Sequence, residues 1–354
     1  MFVALRDLRF ARGRFILIGS VVALITILVG FLSGLTGGLA TQNTSAILKL
    51  PGDRIVFSSL AGEGASYSDS TITTQQAAAW ASTAGVTSVQ PIGISQTRAE
   101  AGDNRAAIAV FGVEPGFDQH APTGNGLVSL ATPAAKQLGV GEGDTVSIGG
   151  ADYVVETVGG DAWYSHTPVI RMTLHDWRAY AATTGSPDSY ATVLAISGTP
   201  DWAAADAANA TVSTSVLGSL TALSAFRSEI GSLLLMVAML FGISGLVIGA
   251  FFTVWTMQRQ GDIAVLKALG ASTRSLRTDA LGQALIVLVA GIAVGLGIVT
   301  ALGLLAGSAL PFLLSPVTTL LPGAIMVVLG LAGAAFALRS ITSADPLTAL
   351  GSTR

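Results

Sequence analysis

Four stretches of this chain are too long and too apolar to be helices of a water-soluble core. They cover about residues 15–35, 232–257, 280–305 and 320–338, and none holds a lysine or an arginine. A helix needs about 20 apolar residues to cross the hydrocarbon of a bilayer. The chain is therefore expected to cross a membrane four times. Only 11% of its residues are charged, against about 25% in ordinary soluble domains.

The basic residues orient these spans. Arg6, Arg9, Arg12 and Arg14 precede the first, Arg259, Lys267, Arg274 and Arg277 lie between the second and third, and Arg339 and Arg354 follow the fourth. The connection over 309–319 carries no charge. Lysine and arginine collect on the cytoplasmic side, which places both termini in the cytoplasm and the long segment 39–227 outside. The first apolar run exceeds the 7–15 residues of a signal-peptide core, so an uncleaved anchor is expected. Residues 1–14 alternate apolar and basic, as in an amphipathic helix lying on the inner leaflet among its lipids.

The external segment reads as one mixed α/β domain inserted between the first and second spans. Strands are expected at 55–58, 106–113, 144–148, 153–158 and 169–172. The last-but-one pair flanks Gly149-Gly150-Ala151-Asp152, a hairpin signal. Helices are expected at 74–84, 175–183 and 201–210. A fourth starts at Thr132, read as an N-cap with Pro133 in the first turn, and ends at Gly139. The chain has no cysteine, which rules out disulfides and thiolate metal sites. Glycines crowd the apolar runs, as in helices that approach closely.

The loop between the second and third spans, 258–275, carries the motif Arg259-x-x-Asp262-Ile-Ala-Val-Leu-Lys267-Ala-Leu-Gly270-Ala-Ser. It resembles the coupling loop of FtsX/MacB-like permease subunits of ABC transporters, with aspartate where glutamate is usual. The tail 339–354 contains Asp345-Pro346-Leu-Thr-Ala-Leu, which resembles the family's ending. The resemblance implies a membrane domain of spans 2–4 over 228–338 and a helical coupling segment at 258–275. It also implies a separate ATPase subunit that binds ATP and magnesium. Two copies of that ATPase would serve a homodimer of this chain. Arg259, Asp262, Lys267, Gly270, Asp345 and Pro346 are the expected contacts. A basic loop that only fixes topology is the plainer alternative.

The run from Arg14 to Asn43 and the string Tyr164-Ser165-His166-Thr167-Pro168 resemble the haem-exporting, HrtB-type branch of that family, found in Gram-positive plasma membranes. There an external tyrosine and a glutamate at the start of the second span are implicated in haem handling. The matching positions are Tyr164 and Glu229, with Arg227 and His166 as further candidates. Tyrosine and histidine are both possible iron ligands, and a carboxylate at a membrane boundary is costly unless paired, hydrated or functional. Haem is thus the expected cargo, not a resident cofactor. Export of another amphipathic peptide or lipid, or force transmission to an external protein partner, fits the same architecture. No Walker A loop, His-Glu-x-x-His or Gly-x-Ser-x-Gly motif occurs, so no catalytic constellation, metal site or nucleic-acid partner is expected.

Overall fold

The computed structural model describes residues 12–59, 64–258, 261, 265, 269–306 and 310–342. They form two compact units, one of Leu39–Gly231 and one of the helices on either side of it in sequence. The first apolar run is helix α1 (Arg12–Thr44).

The middle unit is built on a ten-stranded sheet. In chain order its elements are β1 (Arg54–Ser58), α2 (Thr74–Ala81), β2 (Val86–Ala101), β3 (Asn104–Val113), β4 (Leu127–Leu130), α3 (Thr132–Leu138), β5 (Thr145–Ile148) and β6 (Ala151–Val158). Then come β7 (Trp163–Tyr164), β8 (Thr167–Thr173), α4 (Leu174–Thr183), β9 (Val193–Gly198), α5 (Trp202–Asn209), β10 (Thr211–Ser215) and the short α6 (Val216–Ser219). The strands run β10-β1-β9-β2-β3-β8-β4-β6-β5, and β5 returns to pair with β2. That last pairing, Ala99 with Ile148 and Glu100 with Ser147, closes six strands into a ring. The long β2 belongs to both halves. It pairs with β9 up to Ile92 and with β3 from Gly93 onward.

Alternation of side chains along each strand sorts the core into layers. Ala109, Phe111 and Val113 of β3 join one cluster with Ile55, Phe57, Val193 and Ala195. The intervening Ala106, Ile108 and Val110 join a second with Leu138, Tyr153 and Trp177. On the β1–β9 half, Val56, Leu194 and Ile196 meet Trp80 of α2 and Ala205 of α5. Trp177 is seated by two glycines that face each other across the ladder, Gly93 and Gly112. A Cβ on either would collide with the indole, whose Nε1 donates to Ser95 Oγ at 3.0 Å.

Local signals explain the helix ends. Thr73 and Gln76 form a reciprocal capping box on α2. Asp201 caps α5 by accepting from the Ala204 N–H at 3.1 Å. The β5–β6 hairpin turns on Gly149 and Gly150, both at positive φ, 62° and 84°, as a two-residue turn demands. Helix α3 departs from expectation: its N-cap is Ala131, not Thr132. Ala131 still donates to Val169 O in the sheet and Thr132 to Gly160 O, so the strand delivers the chain one residue earlier. Helix α2 stops at Ala81, not at residue 84.

After this unit come α7 (Ser224–Gln258), α8 (Thr273–Ala306) and α9 (Pro316–Thr342). With α1 they make four helices long and apolar enough to span a membrane. Their glycines differ in what they touch. Gly249 of α7 meets Gly333 of α9, and Gly330 of α9 receives the Leu288 side chain of α8. Gly291 and Gly295 of α8 lie against the α1 carbonyls of Gly19 and Ala23 at 2.8 Å from a would-be Cβ. Of the glycines near the end of α1, Gly37 meets Thr318 of α9, while Gly34 and Gly38 meet no helix. Gly34 and Gly38 seat Phe312 and Pro311 of the α8–α9 connection, and Leu313 N donates to Gly34 O at 3.0 Å. Gly242, Gly282 and Gly297 touch nothing within 4 Å of a would-be Cβ.

Candidate functional site

Asn43 lies in the last turn of α1, where carbonyls run out of helical partners. The chain that follows is stitched to the β7–β8 hairpin. Ala46 N donates to Trp163 O at 2.9 Å, Ser165 N to Asn43 O at 3.0 Å and His166 N to Gln42 O at 3.0 Å. Trp163 N donates to Ser45 Oγ at 2.9 Å. The hairpin turn itself is Ser165-His166, since Tyr164 pairs with Thr167. Both turn residues have positive φ, 45° and 64°. A left-handed non-glycine costs about 1–2 kcal/mol, so two in succession are tolerated only where surrounding bonds hold them. The four bonds above do so.

This turn aims His166 at Glu229, in the second turn of α7. His166 Nε2 and Glu229 Oε2 are 2.7 Å apart. Asn43 Nδ2 donates to the same Oε2 at 3.3 Å and lies 3.3 Å from His166 Nε2. Asn43 is 0% exposed, while the side chains of His166 and Glu229 are 35% and 31% exposed. Asn43 Oδ1 is buried with no hydrogen-bond partner. Turning the amide over would set that oxygen against the carboxylate, so Glu229 fixes its orientation. A partly exposed acid is thus held by one solvent-reachable imidazole and one buried amide.

Of the residues expected at the site, the structure brings Glu229 and His166 together. Tyr164 goes elsewhere. It is 6% exposed in the core cluster, edge-on to Tyr67 and Phe111 at 6.0 and 5.7 Å between ring centroids. Burial pushes its phenol well above the usual tyrosine range, which opposes the phenolate that iron would bind. Arg227 is exposed and lines a different, hydroxyl-rich cleft of about 710 Å³ with Ser66, Ser68, Asp69 and Ser224. Asn43 had no part in the expected site. A polar residue closing a glycine-rich helix was its only trace in the sequence. Among the described residues no group of three or more histidines and acids is placed to hold a metal ion. A porphyrin iron already has four nitrogens and needs at most two protein ligands. In the segment 258–275, Gly270 has φ 95° and follows a Leu269 N to Val265 O bond of 3.0 Å, a left-handed stop of the kind that ends a helical turn. Arg259, Asp262, Lys267, Asp345 and Pro346 lie outside the described residues.

Residues 213–346 match the family model described as FtsX-like permease C-terminal. Two relatives named as hemin transport system permease protein HrtB align end to end. That of Staphylococcus epidermidis is 23% identical and that of Staphylococcus haemolyticus 24%, each over 99% of both chains. Among solved structures, the periplasmic region of MacB from Actinobacillus actinomycetemcomitans superposes with a TM-score of 0.36 at 11% identity, covering 49% of this chain and 94% of that one. The extracellular domain of the transporter YknZ gives 0.32 at 12% identity, covering 48% and 92%.

Proposed function

We propose that this chain, an FtsX/MacB-like ABC permease, exports haem from the membrane, driven by a separate ATPase subunit. The reading is carried by Glu229, a carboxylate at the start of the second span, held by His166 and Asn43 yet still open to solvent. Its cargo assignment also rests on the HrtB relatives, whose names give hemin as what they carry. A carboxylate oxygen is a competent axial partner for ferric iron, and the apolar faces of spanning helices suit a porphyrin. Helix α7 runs from Ser224 to Gln258, so the helix that carries Glu229 leads in sequence to the segment 258–275. Leu234, Leu235, Met239, Ile243 and Leu246 on α7 are exposed, which supports a homodimer joined through this helix. Two ATPases would engage the coupling segment and the tail 339–354 from the cytoplasm.

The test is the absorbance of the purified full chain on addition of hemin. Wild type is expected to give a Soret band distinct from free hemin. Glu229→Ala is expected to shift it, because axial ligands set the electronic state of the iron, and to protect cells poorly from haem. Full resistance in a Glu229→Ala chain expressed at wild-type levels would remove Glu229 from the path. Tyr164→Phe is expected to leave the Soret position unchanged, since that phenol is buried apart from Glu229.

A further inference from the structure

We infer that His166 is a positioning residue whose Nε2 holds Glu229 in one rotamer for iron and does not itself bind the iron; this rests on the haem reading above. The argument begins with protons. An imidazole nitrogen cannot donate to one partner and accept from another at once. At 2.7 Å from a carboxylate oxygen, two facing lone pairs would repel, so a proton lies between Nε2 and Oε2. Asn43 Nδ2, a donor only, then serves Oε2 at 3.3 Å and not the ring nitrogen. While it carries that proton, Nε2 has no lone pair to give to iron.

The backbone supports the same assignment. His166 sits in a left-handed turn at φ 64°, and its N–H is bonded to Gln42 O. The backbone that carries the ring is therefore held in place, and the ring in turn bonds Glu229. Asn43, wholly buried, is the second donor. Two donors on one oxygen select one side-chain rotamer of a residue that would otherwise sample several, and a ligand already in place loses less entropy on binding.

Two measurements on the full chain in detergent test this. In hemin titrations His166→Leu, which removes the N–H, is expected to weaken binding about tenfold with the Soret maximum unmoved. His166→Gln, which keeps an N–H donor, is expected to recover most of that loss. A Soret shift in His166→Leu like that of Glu229→Ala would make His166 a ligand and overturn the inference, as would unchanged affinity. The second measurement needs no haem. The chain has three histidines, so ring ¹⁵N spectra are simple, and the His166 signal is the one lost in His166→Gln. It is expected to move in Glu229→Gln while His120 and His175 stay, which also reports a folded chain. A His166 signal indifferent to Glu229→Gln overturns the positioning role alone. Hemin that fails to bind wild type overturns the cargo reading, and the iron role with it, whatever the spectra show.

Discussion

Arg171 shows how much a single buried charge depends on its partner. Its side chain is 9% exposed and pairs with Asp118, itself 31% exposed, at 3.0 Å. Desolvation lowers its affinity for the proton and Asp118 opposes that shift. Removing one member of a buried pair strands the other, at about 3–5 kcal/mol when both are fully enclosed. Asp118 is partly wet, so Asp118→Ala is expected to destabilise the chain by about 2–3 kcal/mol, read as a lower midpoint in denaturant. An unchanged midpoint would show that water reaches Arg171. Residue-scale chemistry was only half legible beforehand. Glu229 stood out because a carboxylate next to a long apolar run demands a reason. Tyr164 stood out for the same string as His166, yet neighbours in a hairpin turn point apart. The partnership of Asn43, His166 and Glu229 joins positions 123 and 63 residues apart, and local sequence carries no signal for such contacts.

At the scale of elements, the glycines divide by what they touch. A Cβ on Gly38 would run into the Pro311 carbonyl, whereas one on Gly242 meets nothing within 4 Å. Forcing side chains into a packed contact costs typically about 1–3 kcal/mol. Gly38→Val is therefore expected to lower thermal stability in detergent clearly, and Gly242→Ala to leave it unchanged or raise it, since alanine is the better helix former. Equal effects of the two substitutions would contradict the seat described for Pro311. Strand β2 was the element hardest to read. Pro91 and Gly93 look like breakers, and a proline argues against a central strand. Pro91 is accommodated because it precedes Gly93, where the β3 ladder begins, so its strand has one neighbour there and not two. The four spanning helices were legible for the opposite reason: length and apolarity suffice, with no long-range partner needed.

For the whole molecule, the arginine and lysine distribution predicts the sidedness. The chain lacks cysteine, so single introduced thiols report cleanly. Asp103→Cys, in the exposed turn between β2 and β3, is expected to react with a membrane-impermeant thiol reagent on intact cells. Ser275→Cys, exposed in the first turn of α8, is expected to react only after the membrane is opened. The reverse pattern would invert the orientation. The pairing of β1 with β10 adds a mechanical consequence. These strands carry the chain in from α1 and out towards α7, and they are antiparallel neighbours in register from Arg54–Ser215 to Ser58–Thr211. A pull that separates the two connections therefore loads that ladder as a zipper, opening at Arg54 and Ser215 and peeling one bond at a time. Such geometry yields at low force. The Asn43–Glu229 bond and the bonds that stitch the end of α1 to the β7–β8 hairpin lie ahead of it in the chain, so they take up such a pull before the zipper starts.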